Sequence, residues 1–303
     1  MNYTLNQLQV FLKVTQTESV TRAAEELNLS QPAVSIQLRN LQDQFDIPLT
    51  ELVGRKLHIT EFGREIARSA DAILQQVASI NNKTSTYKGL LTGRLKLSVV
   101  STGKYMMPYF LAPFMNKNAS LELNMMVTNR SGVIASLEDN AVDFAFVSIL
   151  PKAPAVDKMD LVENKLFMVG KGGSGFKKSS YPKSILKDLP LIFREEGSGT
   201  RMEMDDFIRR NRLSVIRKME LNSNEAVKQS VMAGLGYSIM PHIGIKNELE
   251  NGSLQIIPVT GMPIRNTWRL IWLKGKQHGP VAAAFLEFIR KEKDEIISRQ
   301  FGS

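Results

Sequence analysis

Residues 19–41 read SVTRAAEELNLSQPAVSIQLRNL. Val20, Ala23, Ala24 and Leu27 fall on one helical face, and after Asn28-Leu29 a second apolar series begins with Val34, Leu38, Leu41 and Phe45. Ser30 stands where an N-cap hydroxyl accepts from free backbone N–H groups. Pro32 suits the first turn, where its missing N–H removes no bond. Two short helices with so tight a joint cannot lie antiparallel, so the spacing predicts a steep crossing, as in a helix-turn-helix. Upstream, Leu5, Leu8, Phe11 and Leu12 predict a further helix. Downstream, residues 55–60 (RKLHIT) alternate Leu57 and Ile59 against Lys56, His58 and Thr60, the pattern of one strand in a small β-wing.

Residues 61–88 then predict one long helix. Phe62, Ile66, Ser69, Ile73, Val77, Ile80, Thr84 and Tyr87 follow one another at three- or four-residue steps, near the ~3.5-residue average of a coiled-coil seam. This predicts a dimer through helix 61–88, burying Ile66, Ile73, Val77 and Ile80; the alternative is a surface helix packed on its own chain. Beyond residue 94 the texture changes. Strands are expected at 95–100, 121–127 and 143–147, with helices at 105–116 and 131–140 between them. The same order returns at 190–193, 200–211, 217–221, 223–234 and 236–240, about 95 residues later. This predicts two βαβαβ units in tandem, each with a mostly parallel sheet, and a binding cleft where strand C-termini and helix N-termini converge.

Composition narrows the function. The 303 residues include no cysteine, which removes disulfides, thiolate nucleophiles and cysteine metal sites, and the three histidines are far apart in sequence. No metal site and no cofactor are expected. No apolar run approaches the ~20 residues of a membrane span, and the amphipathic N-terminus lacks signal-peptide features. The expectation is a soluble, cytoplasmic and nucleoid-associated protein. The net charge of +9 is not in the head: residues 1–93 carry nine Lys and Arg against nine Asp and Glu. DNA binding there must rest on the local placement of charges.

The block 19–41, with Pro48-Leu49, Arg55 and Thr60-Glu61-Phe62-Gly63, strongly resembles the winged helix-turn-helix of LysR-type transcriptional regulators. The resemblance covers essentially the whole chain. It implies a multidomain α and α/β architecture: a winged helix-turn-helix head (1–60), a linker and dimerisation helix (61–93), and a two-lobed effector domain (94–303) resembling periplasmic binding proteins. The expected lobes are 94–164 with 267–303, and 165–266, hinged near Asn164-Lys165 and Asn266-Thr267. A recognition helix opening at Gln31 and Pro32 would place Gln31, Ala33 and Ser35 against base edges. Thr21, Arg22, Gln37, Arg39, Arg55, Lys56 and Thr60 are candidates for phosphate contacts. Three positions depart from the family's common residues: Ile36 and Leu52 stand where Arg is frequent, and Thr50 where Phe is frequent. Fewer cationic contacts mean weaker non-specific affinity and a smaller salt dependence.

Residues 99–108 (VVSTGKYMMP) and 194–207 (REEGSGTRMEMDDF) resemble the Calvin-cycle regulator subgroup, which senses phosphorylated or nucleotide metabolites. Read by themselves, Ser101-Thr102-Gly103 and Gly197-Ser198-Gly199-Thr200 sit where a strand hands over to a helix, a setting suited to anions. Lys104 and Arg201 lie beside them. Asn129, Arg130 and Asn224 occupy the next matching strand ends, and Ser148 ends the third strand. These residues define the candidate effector site. Gly170–Gly175 fits G-x-G-x-x-G, but no helix opens after it, so it reads as a flexible loop rather than a dinucleotide fingerprint. An effector-responsive regulator explains every segment. A solute-binding protein leaves the first 90 residues unexplained, and an enzyme lacks an acid/base constellation. The implied partners are double-stranded promoter DNA, further copies of the chain (a dimer, then a tetramer), a small anionic effector and RNA polymerase, with no membrane.

Overall fold

Hydroxyl side chains start the first three helices. Thr4 forms a capping box with Gln7 ahead of α1 (Leu5–Thr17). Ser19 caps α2 (Val20–Leu27), and Ser30 caps α3 (Gln31–Gln42), accepting from the Ala33 N–H at 3.3 Å. The left-handed turn at Asn28 (φ 53°) ends α2 and swings the chain into α3. The computed structural model describes residues 2–54, 56–87 and 91–302. These form two compact units, Met1–Leu91 and Thr92–Ser303.

In the first unit α1, α2 and α3 close around Leu8, Phe11, Val14, Ala23, Ala24, Val34, Leu38 and Leu41. The wing has two strands, β1 (Thr50–Val53) and β2 (Lys56–Ile59), paired antiparallel with Leu52 opposite Leu57. Only β2 is legible in the sequence, because β1 projects into solvent and keeps no apolar face of its own. The long helix α4 (Glu61–Tyr87) follows. A Cβ on Gly63 would sit 2.0 Å from the Leu49 carbonyl oxygen, so the approach of α4 to the wing requires glycine there.

The second unit contains the expected tandem units. In one lobe β3 (Gly93–Val100) lies between β4 (Leu121–Thr128) and β5 (Phe144–Val147), parallel to both, with α5 (Met107–Lys117) and α6 (Arg130–Glu138) as crossovers. In the other, β7 (Pro190–Arg194) runs parallel to β8 (Ile216–Leu221) and bridges the segment leading into β9 (Ser238–Pro241). There α7 (Gly199–Arg210) and α8 (Asn224–Met232) are the crossovers. Two long strands connect the lobes. The 16-residue β6 (Val156–Lys171) pairs along most of its length with β11 (Ile264–Leu273), and its last residues pair with β9 and with β10 (Leu254–Ile256). Asn164 faces Asn266 in register and donates to its side chain at 2.9 Å. A closing helix, α10 (Pro280–Phe301), packs on α5, with Phe114 and Phe285 edge to face at 5.2 Å.

The glycine loop is a turn at the end of β6. A Cβ on Gly172 would meet the Gly252 carbonyl oxygen at 1.8 Å, and no helix opens behind the loop, so it has no phosphate-binding geometry. Among the described residues no helix is long and apolar enough to cross a membrane, and no group of side chains is placed to hold a metal ion.

Candidate functional site

Two surfaces carry the candidate residues. On the head, α3 buries Val34, Leu38 and Leu41, which leaves its opposite face outward. Gln31, Pro32, Ser35 and Arg39 are exposed on it, and Ala33 and Gln37 are half-buried at its margins. Thr21 and Arg22 are exposed on the first turn of α2, as is Lys56 on the wing; Arg55 lies outside the described residues. Thr60 corrects the expectation. Its hydroxyl donates to the Pro48 carbonyl at 2.6 Å and accepts from the Gly63 N–H at 2.9 Å. A hydroxyl committed on both sides caps α4 and ties it to the wing, which leaves no donor for a phosphate.

The helix seam is also divided. Ile66 packs with Phe62, Ala67, Ala70 and Leu74 against the head's own core rather than in a free seam. Ile73 and Ile80 are 40 % and 63 % exposed, and Val77 is half-buried. The Thr84 and Tyr87 side chains lie outside the described set.

The second surface is the cleft between lobes. Ser101 and Thr102 at the end of β3, Asn129 and Arg130 at the start of α6, and Ser148 and Ile149 after β5 line one wall. Arg194, Ser198, Gly199 and Thr200 line the other, and Trp268 lies among them. Seven of the ten expected effector residues therefore converge here. Ser198 is the N-cap of α7 but makes no side-chain cap bond, so its hydroxyl and the first N–H groups of α7 are available to the cleft. Arg130 donates to two carbonyls, Ile149 at 3.0 Å and Leu150 at 2.8 Å. Burial alone pushes its pKa down, and among the described residues no carboxylate acts against that shift. The result is a half-buried guanidinium whose charge is not neutralised from within.

Three expectations change. Arg201 does not face the cleft. It lies with Met204 and Phe207 on the buried face of α7, bonds Asp205 at 2.6 Å and Glu220 at 2.7 Å, and stacks on Phe193. Burial lowers its pKa, but the hydrogen bonds it donates to Glu220 and Asp205 outweigh this and raise it, as expected of a structural cation. Met204 and Phe207, three and six residues on, were the available signal. Lys104 is exposed, with its ammonium 5.0 Å from the Tyr105 ring centre, because the residues after Thr102 form a single 3₁₀ turn (Gly103–Tyr105) that carries it outward. Asn224 reaches the cleft only through Ser101, donating to its hydroxyl at 2.8 Å.

Arg194, absent from the expected set, takes the place assigned to Arg201. It is 3 % exposed, donates to the Ser101 hydroxyl at 3.1 Å and holds Glu195 by two bonds of 2.7 and 2.9 Å. Burial raises the Glu195 carboxyl, but the Arg194 bonds, with help from Asn129, bring it below the usual carboxylate range. The two opposite charges offset each other, which among the described residues leaves Arg130 as the cleft charge without a carboxylate partner.

The lobes are closed on one another. The Ser131 N–H donates to the Gly197 carbonyl at 3.1 Å, and Tyr105 donates to Glu225 at 3.3 Å. The remaining cavity is about 10 Å³, room for one water molecule. Gly197 has φ +84° and a Cβ there would lie 2.6 Å from the Ser131 hydroxyl. Gly197→Ala is expected to weaken this closure by ~1–2 kcal/mol, the cost of a left-handed side-chain-bearing residue. Hydrogen exchange at the Ser131 amide should accelerate accordingly; unchanged protection would show that the loop accommodates the side chain.

A helix-turn-helix head followed by a two-lobed α/β ligand domain defines a ligand-responsive DNA-binding regulator. The description "bacterial regulatory helix-turn-helix protein, lysR family" matches residues 5–64, and "LysR substrate binding domain" matches residues 88–294. The chain belongs to the LysR family of transcriptional regulators, and it is not an enzyme. A RuBisCO operon transcriptional regulator of Allochromatium vinosum is 36 % identical over 295 residues, 96 % of this chain and 97 % of that one. The regulatory domain of Synechocystis CcmR, solved in complex with 2-PG, is 30 % identical, with a TM-score of 0.64 over 67 % of this chain and 98 % of that one. Full-length OxyR from Pseudomonas aeruginosa shares the fold, with a TM-score of 0.75 at 20 % identity over 98 % of this chain and 95 % of that one.

Proposed function

We propose that this regulator binds promoter DNA as a homodimer joined through α4, and that an organic anion carrying both a phosphate and a carboxylate is its effector. In domain terms, residues 1–60 read DNA, 61–93 dimerise, and 94–303 sense the ligand. The observation that carries the effector reading is the uncompensated Arg130 guanidinium facing the uncapped N-terminus of α7 across the cleft. A phosphate suits the N–H groups and hydroxyls at Ser198–Thr200. A carboxylate suits the forked donors of Arg130. The hydroxyls of Thr102 and Ser148 line the space between. The CcmR domain in complex with 2-PG supports this ligand class.

Such an anion does not fit a cavity of about 10 Å³, so binding requires the lobes to part along β6 and β11, with the Asn164–Asn266 pair as hinge. The ligand acts by favouring one lobe arrangement over the other. Tetramer assembly and a contact with RNA polymerase in the nucleoid complete the reading by the family's pattern. The test is titration of the full chain with 2-phosphoglycolate, sugar phosphates, nucleotides and dicarboxylates, followed by thermal shift and by DNA affinity. A stabilisation of about 2.7 kcal/mol is expected at 100 times the dissociation constant. With it, DNA affinity should change ~5–150-fold. Binding of uncharged or cationic metabolites only would overturn the proposal.

A further inference from the structure

Ile36 is 58 % exposed in the middle of the outward face of α3. Pro32 lies one turn before it and Arg39 one turn after, with Ser35 beside it, and all three are exposed. The fold has no use for this side chain: Val34, Leu38 and Leu41 already fill the core beneath α3. A β-branched residue on an open helix face also ranks below Arg, Lys or Gln as a helix former. An isoleucine in this position therefore has to be explained by what the helix face meets, not by what it covers.

We propose that Ile36 reads a thymine, packing its branched side chain on the C5-methyl group in the major groove about one helical turn from the base met by Gln31. The inference rests on α3 being the groove-facing helix and adds a specificity determinant to it. The thymine methyl is the apolar feature of the major-groove edge; guanine, adenine and cytosine present acceptors and amino groups there. Ile36 gains by burial only against thymine, whereas an arginine would seek guanine or a phosphate. Ile36 thus supplies a contact that selects a base and is insensitive to salt. It matches a head whose charges balance at nine against nine.

The test uses the duplex that the full-length chain recovers by in vitro selection, with each thymine replaced in turn by deoxyuridine. This removes one methyl group and no hydrogen-bonding group. Wild type is expected to lose about fourfold in affinity, the worth of one buried methyl, at each methyl-reading position. In Ile36→Ala that penalty should vanish at one thymine per half-site and persist at the others. Because Ile36 is exposed and alanine is a better helix former, the variant folds, which circular dichroism checks. If Ile36→Ala keeps every deoxyuridine penalty of wild type, or wild type shows none, the proposal fails. Gln31→Ala separates this failure from a wider one. If Gln31→Ala weakens binding while Ile36→Ala keeps all penalties, only the thymine contact is wrong. If both variants bind like wild type, α3 is not the reading helix.

Discussion

Lysine at Ile73 is expected to convert the protein to monomers and take it off its promoter. One face of α4 is used by its own chain, through Phe62, Ile66, Ala67, Ala70 and Leu74. Ile73 and Ile80 lie seven and fourteen residues on from Ile66, close to the same helical line, but are 40 % and 63 % exposed, with Val77 between them. Their steps of four and three residues make the stripe that a second helix covers in a coiled coil. In a two-fold dimer the substitution enters twice, and each ammonium would be buried unpaired. Losing the dimer also loses bivalent engagement of two half-sites, worth ~10²–10⁴ in apparent affinity. Because Ile73 is accessible in the single chain, the head should keep its melting temperature. Sedimentation of the full chain and a gel shift read the two effects together. A dimeric Ile73→Lys protein with wild-type affinity would remove this helix face from the interface.

Arg130→Met is expected to abolish the effector response. The side chain keeps similar bulk but loses a cleft cation that no carboxylate answers among the described residues. Removing one partner of a buried, hydrogen-bonded charge pair costs ~2–5 kcal/mol, about 30-fold to more than 10³-fold in affinity. Arg130→Lys should not restore it, since a single ammonium cannot bond the Ile149 and Leu150 carbonyls and also present a fork to the ligand. Calorimetric titration with 2-phosphoglycolate measures the loss, and DNA binding without effector, carried by the head, reports that the protein is folded. Undiminished binding by Arg130→Met would place the anion elsewhere in the cleft.

The arrangement of elements was legible in the sequence because it depends on local rules. Ser30 and Pro32 mark the start of α3, three- and four-residue steps mark α4, and the repeated strand–helix order marks two matching lobes. Each follows from hydrogen bonding within a few residues or from an apolar period along one element. The contact set around Ser101, Thr102, Arg130 and Ser198 was legible for the same reason: strand ends and helix starts fall at fixed places in a βαβ unit.

What only the tertiary structure decided is where individual long side chains go. Arg194 ends a strand buried on both faces, which has no alternation to show that its guanidinium enters the cleft. Arg201 sits seven residues later beside the same loop, yet the turn of α7 carries it into a pair with Asp205 and Glu220. Thr60 looked free until the wing brought Pro48 within 2.6 Å of its hydroxyl. The length of β6 was hidden because most of it pairs with β11 while its last residues pair with β9 and β10, strands far apart in sequence. Local chemistry chose the helices, the strands and the cleft; the direction of a guanidinium or a hydroxyl was settled by partners that only folding brings near.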